Sequence, residues 1–101
     1  MALDEAPFDP GGIDEVIHGR MRLGVMAYLA QASPTAFTEL AQALGATNGN
    51  LSVHLAKLEA AGYVRTEKAA KGRGRTTVAL TEAGRDAWAG YLDAMRGLLG
   101  G

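Results

Sequence analysis

Between Thr47 and Lys57 the chain carries a set of side chains that can hydrogen-bond without taking up much room. At about 100° per residue, Gly49, Asn50, Ser52, Val53, Ala56 and Lys57 fall on one side of a helix, and Leu51, Leu55, Leu58 and Gly62 on the other. Asn and Ser are mediocre helix formers, so helix stability does not account for them. What they suit is contact with the edges of base pairs. The Asn50 amide has the geometry to bond adenine twice, and Val53 can meet a thymine methyl. Thr47 and Ser52 offer hydroxyls suited to phosphate, Lys57 can reach phosphate or guanine, and Asn48 opens the same helix. The plain alternative is an αα-hairpin with a solvated face, a common motif.

A second cluster lies further on, in the segment KAAKGRGR, where Lys68, Lys71, Arg73 and Arg75 alternate with small residues. Glycine lets a hairpin tip turn and approach closely, and the cations reach phosphates or a minor groove. Charge that merely keeps an edge strand from aggregating would look similar. The net charge of −1 is misleading here. From Met1 to His18 there are five acids and no Lys or Arg, whereas Thr47 to Arg75 holds six bases against two acids, a local surplus of four. The Debye length at physiological salt is only about 8 Å, so the local surplus decides what the surface attracts.

Catalysis and metal chemistry find little to work with. There is no cysteine, and the two histidines, His18 and His54, sit in different helical segments. Only His18 has nearby carboxylates, Asp14 and Glu15, and no glycine loop is followed by Lys-Ser/Thr to cradle a nucleotide. His18 reads as a partly exposed surface residue and His54 as a flank residue of its helix. No catalytic residue, metal site or cofactor is expected. No apolar run approaches ~18 residues and the N-terminus is acidic, so neither a membrane span nor a signal peptide is expected, and the cytoplasm is the expected compartment.

The elements that position these side chains follow from periodicity and punctuation. Residues 1–12 carry two prolines and two glycines without periodicity and read as a flexible arm. Ile13 to Ala32 is expected to be helical, with Asp14 and Glu15 in its first turn and a kink, or a division into two helical pieces, at HisGlyArg, 18–20. Arg20 and Arg22 could touch phosphate, though a structural salt bridge is the expectation. Pro34 bars helix continuation and leaves a stub of strand at 35–37. Thr38 is expected to cap a helix that Gly45 stops, and Thr47 to cap the next. Tyr63, Val64 and Thr66, then Thr76, Thr77, Val78 and Leu80, favour two strands. Thr81 caps a last helix whose stripe of Trp88, Tyr91, Leu92, Met95, Leu98 and Leu99 repeats at helical spacing. One small domain cannot easily bury all of that stripe, so a shared homodimer surface is favoured over intramolecular core or a ligand cleft.

The order helix, strand stub, helix, helix, hairpin, helix is mainly α with a small β-hairpin wing. Together with TELAQALG at 38–45, GNLSVHLAKLEAAGYV at 49–64 and LTEAGR at 80–85, it resembles the winged helix-turn-helix regulators of bacteria and archaea, the compact relatives of the MarR and ArsR families. The resemblance covers roughly 13–99. It implies a homodimeric transcription factor on a pseudo-palindromic stretch of double-stranded DNA. The helix Asn48 to Ala61 would enter the major groove and the wing, Lys68 to Arg75, would lie on phosphate or the minor groove. The chain departs from metal-sensing ArsR proteins in having no cysteine, and from larger MarR proteins in lacking the extra helices that frame a ligand pocket. A winged helix serving protein–protein contact is the alternative.

Overall fold

The computed structural model describes residues 13–68 and 75–100. The arm 1–12 and the tip of the expected wing, with Lys71 and Arg73, lie outside the described residues. The elements run α1 Arg20–Gln31, β1 Thr35–Ala36, α2 Phe37–Leu44, α3 Asn48–Ala60, β2 Val64–Lys68, β3 Thr76–Leu80 and α4 Glu82–Leu98. This is the expected order. The three strands form one antiparallel sheet in the order β1-β3-β2. Val64 faces Leu80 and Lys68 faces Thr76, so β2 and β3 are the paired arms of a hairpin, and the two-residue β1 pins the start of α2 to its far edge through Thr35 and Val78.

The helical stretch from Ile13 divides at 18–20, as expected, but its first piece is shorter than expected. Only Arg20–Gln31 is α-helical. Before it, the Asp14 carboxylate accepts the Val16 N–H at 2.9 Å and the Asp14 carbonyl accepts the His18 N–H at 2.8 Å, which closes one turn that is not continued. These two bonds are those of a helix cap, so Asp14 opens a helical turn. Extended Gly19 then separates the turn from α1. Ile17 still points inward and is fully buried. Thr38 does not cap α2 either: the helix starts directly off β1 at Phe37, with Ala36 in the cap position and no side-chain bond.

The other caps behave as expected. Gly45 takes the left-handed conformation at φ 64°. Its N–H bonds the Gln42 carbonyl and the next N–H, of Ala46, bonds the Ala41 carbonyl, a pattern that satisfies the last carbonyls of α2. The Thr47 hydroxyl accepts the Asn50 N–H at 3.1 Å and the Thr81 hydroxyl accepts the Gly84 N–H at 2.9 Å. Thr81 also donates to the Gly62 carbonyl at 2.6 Å, so the cap of α4 holds the exit of α3. Gly84 is buried where α4 crosses this exit, and a Cβ there would run into the Tyr63 carbonyl oxygen. Only glycine allows the approach.

The core lies between α1, α3 and the sheet. Val25, Met26 and Leu29 of α1 meet Leu40 of α2, Leu51, Leu55 and Leu58 of α3, and Val64, Val78 and Leu80 of the hairpin. Each such side chain contributes about 1.5–3 kcal/mol by leaving water. Their joint effect is to fix the rotation of α3 about its own axis.

Candidate nucleic-acid interface

That rotation decides what α3 presents. Leu51, Leu55 and Leu58 are buried, while Thr47, Asn48, Gly49, Asn50, Ser52, Val53, Ala56 and Lys57 are all exposed. Val53 stands 56% exposed at the centre of the outward face, opposite the buried leucines. The helix therefore has an apolar back gripped by the body and a slim front open to solvent.

The two flanks of α3 differ. On one side Glu59 accepts the Thr66 N–H at 3.4 Å and the Thr66 hydroxyl at 3.3 Å, tying α3 to β2. A groove of about 300 Å³ runs there, lined by Ser52, Ala56 and Glu59 of α3 and by Thr66, Lys68 and Thr76 of the hairpin. On the other side Arg22 of α1 donates from Nη1 to the His54 ring at 3.2 Å and from Nε to the Val16 carbonyl at 2.6 Å. The expected salt bridge of Arg22 is thus replaced by bonds to a carbonyl and an imidazole; the imidazole lies thirty-two residues away, where sequence spacing gives no cue. His54 is half-buried at the flank, as expected. Asn50 lies on this same flank, beside Arg20, Arg22 and His54 in a groove of about 530 Å³, rather than at the centre beside Val53.

The charged hairpin presents Lys68 and Arg75 to solvent at the ends of its arms. Arg65 pairs with Glu67 at 3.4 Å, both exposed, so this pair contributes little to stability and removes one cation from the local surplus. Lys71 and Arg73 belong to the undescribed tip. Among the described residues no cluster of His, Cys, Asp or Glu could hold a metal ion.

The segment 13–18 bonds both the exit of α3 and the middle of α4. The Tyr63 hydroxyl donates to the Asp14 carboxylate at 2.5 Å, and His18 Nδ1 lies 3.1 Å from the Tyr91 hydroxyl. The bond to Asp14, and then burial, raise the Tyr63 hydroxyl above its ordinary pKa of 10.0. Tyr28 is raised likewise, first by donating to Glu39 at 3.1 Å.

Of the expected dimer stripe, Tyr91 is 4% exposed and already part of the chain's own core, its ring stacked on Trp88 at 5.7 Å. Trp88, Met95 and Leu98 are half-buried, and Leu92 and Leu99 are 37% and 80% exposed. No helix among the described residues is long and apolar enough to cross a membrane.

A three-helix body with a helix-turn-helix, closed by a charged β-hairpin and a trailing helix, is the winged-helix class. Residues 21–99 match the winged helix DNA-binding domain family, and the chain belongs to it. It is 35% identical over 79 residues to an uncharacterised protein of Methanocaldococcus jannaschii, an alignment covering 77% of this chain and 86% of the other. Its fold matches a transcriptional regulator homologue of Pyrococcus horikoshii with a TM-score of 0.81 at 29% identity, over 86% of this chain and 87% of that one. A MarR-family transcriptional regulator of Silicibacter pomeroyi gives 0.68 at 25% identity, over 80% of this chain but 54% of the other, so the chain spans about half of that longer protein.

Proposed function

We propose that this protein is a sequence-specific DNA-binding transcriptional regulator that acts as a homodimer on a pseudo-palindromic operator. In this reading α3 enters the major groove, Val53 and Asn50 meet base edges, and Thr47, Asn48, Ser52 and Lys57 bond backbone or bases. The hairpin lies along phosphate or the minor groove through Lys68, Lys71, Arg73 and Arg75. The observation that carries the reading is the division of α3 into a buried leucine back and a wholly exposed polar front. One domain offers only a few base contacts, each worth roughly 1–3 kcal/mol of discrimination. Two half-sites about one helical turn apart supply the rest, which links DNA binding to a second copy. The exposed Leu92 and Leu99, with Trp88, Met95 and Leu98, support α4 as the surface shared by the two copies.

Binding to duplex DNA across a range of salt concentrations tests this. Lys68→Ala combined with Arg75→Ala should weaken binding to every sequence and reduce the log–log salt slope by about 0.9 for each phosphate no longer neutralised. Asn50→Ala should relax preference at one base position and leave the salt slope alone. A hairpin variant that binds as tightly as the parent at every salt concentration contradicts the role given to the wing.

A further inference from the structure

A helix about 10–12 Å across fills a major groove about 12 Å wide, so a sugar-phosphate wall stands on each side of it. The hairpin can serve only one of those walls. The other faces the α1 flank of α3, where Arg20, Arg22, Asn50 and His54 line a single groove.

The chemistry of this groove is one-sided. It contains two guanidinium groups, an amide and an imidazole and no carboxylate, whereas the groove beside the hairpin includes Glu59 and the one beneath Lys57 includes Glu15. Arg22 is already oriented by its bonds to the Val16 carbonyl and the His54 ring. Two of its five N–H donors are used and the rest remain. A guanidinium only donates, so His54 Nδ1 accepts, which puts the ring proton on Nε2 as a further donor. Arg20, the first residue of α1, is exposed, and among the described residues no carboxylate lies within 4 Å of it. A fixed cation beside a free one suits an anion with several oxygens.

We propose that this groove grips a backbone phosphate of the DNA wall away from the hairpin, with Arg20 as the contacting cation and Arg22 and His54 as the oriented donors behind it. The proposal rests on the DNA-binding reading above. It makes the grip on the duplex two-sided, with the hairpin on one wall and the start of α1 on the other, and α3 centred between them.

The test compares the parent, Arg20→Ala, Arg20→Lys and Arg96→Ala, the last an exposed arginine paired with Asp93 on α4. Each is titrated with a duplex of fixed sequence and with a scrambled one over a range of salt, and ethylated phosphates that block binding are mapped. Arg20→Ala should bind about tenfold more weakly on both duplexes and lose about 0.9 of log–log salt slope per phosphate released. Arg20→Lys should keep most of the slope, and Arg96→Ala all of it. Ethylation on the wall away from the hairpin should cease to matter for Arg20→Ala, while the Lys68→Ala/Arg75→Ala protein should become blind to the opposite wall. If the parent binds and Arg20→Ala keeps its slope and ethylation pattern, or loses no more than Arg96→Ala, this phosphate grip is wrong and the DNA-binding reading stands. If the parent binds no duplex at any salt, both fall.

Discussion

In α3 the apolar stripe is used up inside the chain, and in α4 it is not. Leu51, Leu55 and Leu58 are buried, and everything opposite them is polar, small or, at Val53, singly apolar. Along α4 only Tyr91 and Gly84 are buried, and Leu92 and Leu99 remain in solvent near half-buried Trp88, Met95 and Leu98. The outward face of α3 is therefore complete in one copy of the chain. The trailing helix keeps an apolar side that the described residues of one copy do not cover, and such a surface has a reason to meet a second copy.

Paired substitutions break this contrast if it is wrong. Leu58→Ala should destabilise the fold by about 2–5 kcal/mol in denaturant unfolding, because it opens a cavity behind the front of α3. Leu92→Glu with Leu99→Glu should leave helix content intact and change unfolding of the isolated chain by about 0.5 kcal/mol or less per site. Sedimentation should instead show the loss of a self-associated species. A double variant that unfolds like Leu58→Ala and sediments like the parent would mean that the side of α4 is internal after all.

A smaller effect sharpens the boundary between the two regions. Tyr63→Phe removes the bond to Asp14 that ties the segment 13–18 to the exit of α3, and should cost about 1.5 kcal/mol at neutral pH. The Tyr63 hydroxyl has its pKa raised in the folded protein, so its contribution is fully present below the unfolded value of about 10 and is lost as pH rises through the folded value. The stability gap between parent and variant should therefore close above a pH of about 10, as followed by chemical denaturation at a series of pH values. A gap that persists unchanged into that range would show that the hydroxyl bond is not its source.

The helix-turn-helix was legible because its signals are local. Leucines at spacings of three and four, Gly45 as a stop, and Thr47 and Thr81 as caps all act within a turn of helix. The failures share a different cause. The turn at 13–18 depends on Asp14 bonding its own backbone and, forty-nine residues away, Tyr63. Arg22 finds His54 across thirty-two residues, and Tyr91 is drawn into the core beside His18 across seventy-three. None of these pairings leaves a spacing pattern in the chain. The place of Asn50 on the flank, rather than at the centre of the front, follows from how the three leucines set the rotation of α3: at about 100° per residue Asn50 stands one step from Leu51, while Val53 lies opposite the leucines.

Whether two exposed α3 fronts read one duplex together is decided by selecting bound sequences from a random DNA pool with the purified protein at physiological salt. A two-fold symmetric sequence should be enriched, its half-sites about one helical turn apart, with preference relaxed at one position per half-site in Asn50→Ala. A pool that shows no enrichment over its starting composition, while the protein is folded and self-associated, would contradict that role for α3.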